Sequence, residues 1–225
     1  MRILLRNGAT VWRGYRFPAV PTRYRMFEDS DFAKRATRMP ESGIREIFDA
    51  AQEYDELYDM SIGEPDFDTP EHIKDAGREA ITRGETSYAP SNGIPELRKA
   101  IAADLQADGL PYEAENVMVT PGAKQALFEV VHTVVEGGDE VVLLDPAWVS
   151  YAAMVKIAGA DLTRVDLSES DFQLEPALGE LATALSDETE LLIVNSPNNP
   201  SGAVYTNAAL EGVRDLAVTH DITVI

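Results

Sequence analysis

"EVVLLDPAWVSYAAMVKIAGADLTRVDL", residues 140–167, holds two short apolar runs with a helical run between them. "EVVLL" (140–144) and "LTRVDL" (162–167) are mostly aliphatic or β-branched over five or six positions, as strands covered on both faces are. "WVSYAAMVKIAG" has helical spacing instead. Strand, helix, strand is the unit from which parallel sheets with helices on their faces are assembled.

The same alternation continues in both directions. "NVMVT" (116–120), "ELLIV" (190–194) and "ITVI" (222–225) read as further strands, and "GAKQALFEVVHTVVEGG", "PALGELATAL" and "NAALEGVRDLAV" as the helices between. The expected fold is α/β, a mainly parallel sheet with helices on both faces. Two amphipathic helices precede it. "DTPEHIKDAGREAITRG" offers Thr69 as cap, Pro70 at the first helical position, Ile73, Ala76, Ala80 and Ile81 on one face, and Gly84 as the stop. "IPELRKAIAADLQADG" repeats the device with Pro95, the stripe Leu97, Ile101 and Leu105, and Gly109.

With 225 residues, 44% of them hydrophobic, the chain has the material for a core, which argues against disorder. Its 39 acidic residues against 19 Lys plus Arg give a net charge of −20, so nucleic acid and anionic membranes are poor partners. Lysine is confined to Lys34, Lys74, Lys99, Lys124 and Lys156 while acids cover the exposed-looking helix faces. That balance suits a proteome adapted to high salt. No cysteine is present, so neither disulfides nor thiolate chemistry are expected. His72, His132 and His220 lack ligand spacing, and no metal site is expected. No apolar run approaches the roughly 20 residues of a membrane span, and a soluble, cytoplasmic chain is expected. Residues 1–25 break the pattern, with six arginines and no acid. They read as a basic extension ahead of a true start at Met26, in preference to a targeting peptide.

In a parallel sheet ligands collect beyond the carboxyl ends of the strands, so the loops "TPGAKQA", "DPAWVSY" and "NSPNNPSG" (195–202) carry the functional question. The first opens a helix through Pro121, Gly122 and Ala123, where close backbone approach and unpaired N–H groups suit a phosphate. It has the spacing of neither a Walker loop nor a dinucleotide fingerprint. The second sets Trp148 just past a strand, as a core residue or as a platform for a flat heterocycle. The third offers three amides, which donate and accept, as turn formers or as readers of a polar ring substituent. Phosphate, ring and substituent together describe a phosphorylated aromatic cofactor.

"SIGEPDFDTPEHI", "TSYAPSNGIPELRKAI", "VTPGAKQALFEVV", "DPAWVSYAAMVKIAGA" and "NSPNNPSGAVY" resemble, in order, the motifs of class I aminotransferases, enzymes of fold type I that depend on pyridoxal 5′-phosphate. The resemblance covers roughly residues 30–225. It implies that Asn199 bonds the phenolic oxygen of the cofactor, that Trp148 stacks on its ring, and that the N–H groups of Ala123 and Lys124, after Gly122, hold its phosphate. It also implies that Tyr88 reaches the phosphate of a neighbouring protomer in a homodimer, and that Gly63 lies against the substrate carboxylate. Cis bonds before Pro146 and Pro200 complete the implied features. The implied domains are an arm and small-domain segment over 26–67 and an incomplete cofactor-binding large domain over 68–225.

Such an enzyme also needs a Schiff-base lysine, an aspartate for the pyridine nitrogen and an arginine for the substrate carboxylate, all expected beyond Ile225. None of the five lysines matches the Schiff-base motif, so the chain by itself is expected to be inactive. The implied reaction passes an amino group between an amino acid and a 2-oxo acid. Lys124 in "GAKQA" resembles a lysine of some aspartate and prephenate aminotransferases, which favours an acidic donor, while "ESGIREIFD" and "GEPDFDTP" also resemble relatives that use aromatic donors. Another fold-type I reaction, such as carbon–sulfur lysis, or a noncatalytic remnant or regulatory domain are the alternatives.

Overall fold

The computed structural model describes residues 29–37, 63 and 65–225. The basic extension over 1–25 and most of the 26–67 segment lie outside the described residues. A 3₁₀ turn at Asp29–Asp31 and one helical turn at Lys34–Thr37 come first.

Helix α1 spans Glu71–Thr82 and α2 spans Pro95–Ala107. Pro95 takes the first helical position as expected, but α1 begins one residue later than its sequence suggests. Pro70 is the cap there, with an extended ψ of 140°. Its carbonyl already accepts from the N–H groups of Ile73 (3.0 Å) and Lys74 (3.2 Å), which is what a cap residue does. Gly84 and Gly109, at φ of 79° and 85°, turn the chain just beyond the two helices. The apolar stripe of α1 is real but uncovered among the described residues: Ile73 is 53% and Ile81 68% exposed.

"NVMVT" is not a strand. Its first residue closes the 3₁₀ turn Ala114–Asn116, Val117 is extended, and residues 117–120 belong to no strand. Its main-chain groups have other partners. Arg98 donates from Nε to the Val117 carbonyl (2.9 Å) and from a terminal nitrogen to the Ala114 carbonyl (2.5 Å), and the Val119 N–H goes to the Asn92 carbonyl (3.1 Å).

From there the expected alternation holds. Helix α3 (Ala123–Val134) leads to β1 (Glu140–Asp145), α4 (Val149–Ala158), β2 (Asp161–Asp166), α5 (Leu178–Ala184), β3 (Thr189–Ile193), α6 (Asn207–His220) and β4 (Thr223–Val224). The strands lie in the order β2-β1-β3-β4 and every pairing is parallel. Val142 pairs with Thr163 on one side and Leu192 on the other, and Leu192 in turn with Val224.

Alternation along the strands builds two cores. Val142, Leu144, Val165 and Leu192 pack with Leu181 of α5 and Val213 of α6. Val141, Leu143, Leu191 and Ile193 pack on the opposite face with Val131 of α3 and Val155 of α4. Helices therefore cover both faces, which is why the strand sequences are continuous apolar runs and not alternating ones. Each fully buried Leu or Val contributes about 1.5–3 kcal/mol.

The amino edge of the sheet carries a polar clamp. Glu140 Oε1 accepts from the hydroxyls of Thr189 (2.6 Å) and Ser186 (2.9 Å), and Oε2 accepts from Thr163 (2.5 Å). One carboxylate thus ties β1 to β2, to β3 and to the turn before β3. Burial pushes its pKa up, but the bonds from Thr163, Thr189 and Ser186 outweigh that and hold it below the usual carboxylate range. At the carboxyl edge Arg164 of β2 reaches both oxygens of Asp145, each at 2.6 Å. Both side chains are partly exposed, so this pair adds little to stability.

Candidate functional site

The sheet order decides where a ligand can sit. The chain leaves β1 for β2 on one side, then crosses back past β1 to place β3 on the other. The loops after β1 and β3 therefore diverge from adjacent strand ends, and such a reversal opens a crevice beyond the carboxyl edge. "DPAW" follows β1 and "NSPNNPSG" follows β3.

Helix α3 starts beside this edge. Gly122 enters it at φ 93°, a backbone that disfavours side chains, and no side chain caps the helix. A Cβ at Gly122 would meet no atom within 4 Å, so the approach is open. The first N–H groups of a helix have no acceptor within it, and they mark the positive end of its dipole. Those of Ala123 and Lys124 open α3, and both residues are exposed. Helix α6 is different: Thr206 caps it by accepting from the Ala209 N–H (3.1 Å).

Trp148, the cap residue of α4, is half-buried against the α3–α4 core, with Tyr151 edge-on at 5.4 Å between centroids. The Lys124 ammonium lies 4.9 Å from the centre of the Trp148 ring. This cation–π contact joins the helix start to the "DPAW" loop. Lys124 and Trp148, predicted separately from sequence, are thereby brought together.

The asparagines of "NSPNNPSG" divide the work. Asn195 Oδ1 accepts from the Asn199 N–H at 2.9 Å. Asn198 is buried, and its Oδ1 accepts from the Ser201 N–H (3.2 Å) and hydroxyl (2.8 Å). Ser196 Oγ accepts from the Tyr205 N–H (3.0 Å), which folds the far end of the loop back. The side-chain amide of Asn199 is exposed and has no hydrogen-bond partner among the described residues, so its donor and acceptor are available to a ligand. Sequence reasoning singled out Asn199 and missed Asn195 and Asn198. The available signal was the habit of short amides of bonding nearby backbone in turns.

The peptide bonds before Pro146 and Pro200 are cis, as the resemblance implies, and that before Pro197 is cis as well. Tyr88 and Gly63 stand apart. Tyr88 is fully exposed, and a Cβ at Gly63 would meet nothing within 4 Å. Among the described residues neither makes a hydrogen bond or ring contact with the three loops. A cavity of about 470 Å³ lies elsewhere, along α6 and β4, with Val194, Leu210, Val213 and Val224 among its walls. It is mainly apolar and lacks the convergent polar groups of a reactive site. Among the described residues no cluster of His, Asp or Glu suits a metal, and no helix is long and apolar enough to cross a membrane.

An open helix start, an aromatic face and an exposed amide, on loops at the carboxyl ends of the sheet, are groups of the kind that suit a phosphate, a ring and a polar ring substituent. Residues 55–225 match the family model for aminotransferase class I and II, and the chain belongs to that family. It is 46% identical over 172 residues to the aspartate/prephenate aminotransferase of Thermus thermophilus, covering 76% of this chain and 44% of the relative. It is 40% identical over 187 residues to the aromatic-amino-acid aminotransferase 2 of Thermococcus litoralis, covering 82% and 48%. The structure of Thermus thermophilus aspartate aminotransferase with maleate superposes with a TM-score of 0.80 at 42% identity, covering 86% of this chain and 52% of that one. The chain thus spans about half the length of the relatives it matches. The family's cofactor is pyridoxal 5′-phosphate, and the residues around the crevice fit its phosphate, ring and phenolic oxygen.

Proposed function

We propose that this chain forms the cofactor-holding front part of an aminotransferase that moves an amino group between an amino acid and a 2-oxo acid. The observation that carries this is the Lys124–Trp148 contact, which joins the α3 start to the loop after β1, with the exposed Asn199 amide in the loop after the adjacent strand β3. When bound, pyridoxal phosphate supplies the electron-withdrawing ring that makes amino-group transfer possible. The N–H groups of Ala123 and Lys124, reached past Gly122, hold the phosphate. Trp148 covers a ring face and excludes water from it, and Asn199 donates to the phenolic oxygen. Gly63, with open space around it, is assigned to the substrate carboxylate, and the exposed Tyr88 to the cofactor phosphate of a second protomer, as the resemblance implies.

An acidic amino donor is favoured over an aromatic one, because the Lys124 ammonium beside Trp148 attracts a second carboxylate. The maleate-bound Thermus structure, a dicarboxylate complex, agrees with that preference. The working form is read as a homodimer because Tyr88 would serve a neighbour's site, and the charge of −20 suits a salt-rich cytoplasm. Pyridoxamine 5′-phosphate, which needs no lysine to bind, is the test ligand. Saturable quenching of tryptophan fluorescence, weakened about tenfold by Asn199→Ala, is expected. Absence of saturable binding to the folded chain would refute the cofactor site. In the longer protein, Lys124→Gln is expected to lower kcat/KM for aspartate more than for phenylalanine, and an equal loss for both would refute the acidic preference.

A further inference from the structure

We infer that Asn195 is a positioning residue that sets the ligand-facing geometry of Asn199, an inference resting on the cofactor-site reading above. Asn195 follows the last anchored point of the sheet, where the Val194 N–H donates to the Ile225 carbonyl at 2.8 Å. Its Oδ1 then accepts the Asn199 N–H at 2.9 Å. The backbone of Asn199 is thus held to the strand end by one side chain. Asn198 has a different task. Its N–H donates to the Ala203 carbonyl and its carbonyl accepts from the Gly202 N–H, both at 2.8 Å, while its side chain holds Ser201. Asn198 therefore closes the loop on itself, and Asn195 registers the loop against the sheet.

That registration matters because a side-chain amide is short and its last torsion is broad, so its reach follows its own backbone. A hydrogen bond to a ring substituent tolerates only a few tenths of an ångström. Without the Asn195 acceptor the Asn199 N–H turns to water and the loop samples other arrangements. A general structural role for Asn195 would weaken the whole site whether or not Asn199 is present. A positioning role works only through the Asn199 amide.

The test is a double-mutant cycle on the chain, with pyridoxamine 5′-phosphate affinity measured by calorimetry and exchange of the Asn199 amide proton measured independently. Asn195→Ala is expected to weaken binding about fivefold, the loss of one ordinary hydrogen bond. In the Asn199→Ala background the same change is expected to have no further effect. Exchange at residue 199 is expected to quicken in Asn195→Ala and to stay slow in Asn195→Asp, which keeps an oxygen acceptor of the same reach. If Asn195→Ala does not fold, Asn195→Ser, whose hydroxyl is too short to span to residue 199, replaces it in the cycle. Fold-losses that multiply independently, or unchanged exchange in Asn195→Ala, would overturn the positioning role while leaving the cofactor site intact. Failure of the unsubstituted chain to bind the ligand would instead overturn the cofactor-site reading, and this inference with it.

Discussion

Replacing Glu140 by glutamine tests whether the clamp at the amino edge of the sheet holds three segments together. The carboxylate accepts three hydroxyl bonds, from Thr163, Ser186 and Thr189. Glutamine keeps the shape but turns one acceptor into a donor, so charge-assisted bonds become neutral ones, each weaker by about 1 kcal/mol. Relief of the carboxylate's desolvation offsets part of that sum. A net loss of about 2 kcal/mol at pH 7 is expected. The pH dependence has a definite sign. Glu140's pKa is lowered in the folded state, so its contribution is fully present above the unfolded value of about 4.3 and fades as pH falls through the folded value. Urea denaturation of both forms at pH 7 and about pH 3 should therefore show the difference between them shrinking in acid. A difference that is the same at both pH values, or a glutamine form as stable as the parent at pH 7, would refute the reasoning.

Gly93→Ala is expected to cost about 3 kcal/mol, because a Cβ there would lie 2.7 Å from Val119 Cγ2 and the backbone has φ 96°. Gly109→Ala, at a similar φ of 85° with nothing within 4 Å, isolates the backbone share at about 1 kcal/mol, and equal losses would deny the contact with Val119. Leu192→Ala, at a fully buried site, should cost about 3 kcal/mol and lower the Tm by roughly 6–12 °C in a thermal melt. Raising KCl from 0.1 M to the molar range should raise the Tm by on the order of 5 °C, since screening relieves the repulsion of a chain with charge −20, and a flat response would argue against high-salt adaptation.

The sheet was legible because strands buried on both faces leave unbroken apolar runs, and Val141–Leu144 and Leu191–Ile193 are such runs. "NVMVT" has the same composition and makes no ladder. Pairing depends on neighbours, and here Arg98 and Asn92 take the main-chain groups a strand partner would use. The stripe of α1 was equally readable, but a pattern tells which face is apolar and not what covers it. In the site, the loops and Asn199 stood out through position after a strand. The Lys124–Trp148 contact joins residues on different elements, and the Glu140 clamp reaches partners 23, 46 and 49 positions away. No local pattern encodes such meetings. Asn195 was legible in principle, since its partner is four residues on.

The strand order has a consequence for the sequence of events in folding. β1, α4 and β2 are consecutive, so their ladder closes over one helix, whereas β3 must return across β1 after α5 has been threaded and seated. Distant closures carry more chain entropy and form more slowly than local ones. The wall of the crevice bearing Trp148 is thus expected to gain protection in pulsed exchange before the wall bearing Asn199. A nascent chain would hold the ring platform first, and the amide that reads the ring would come into register last.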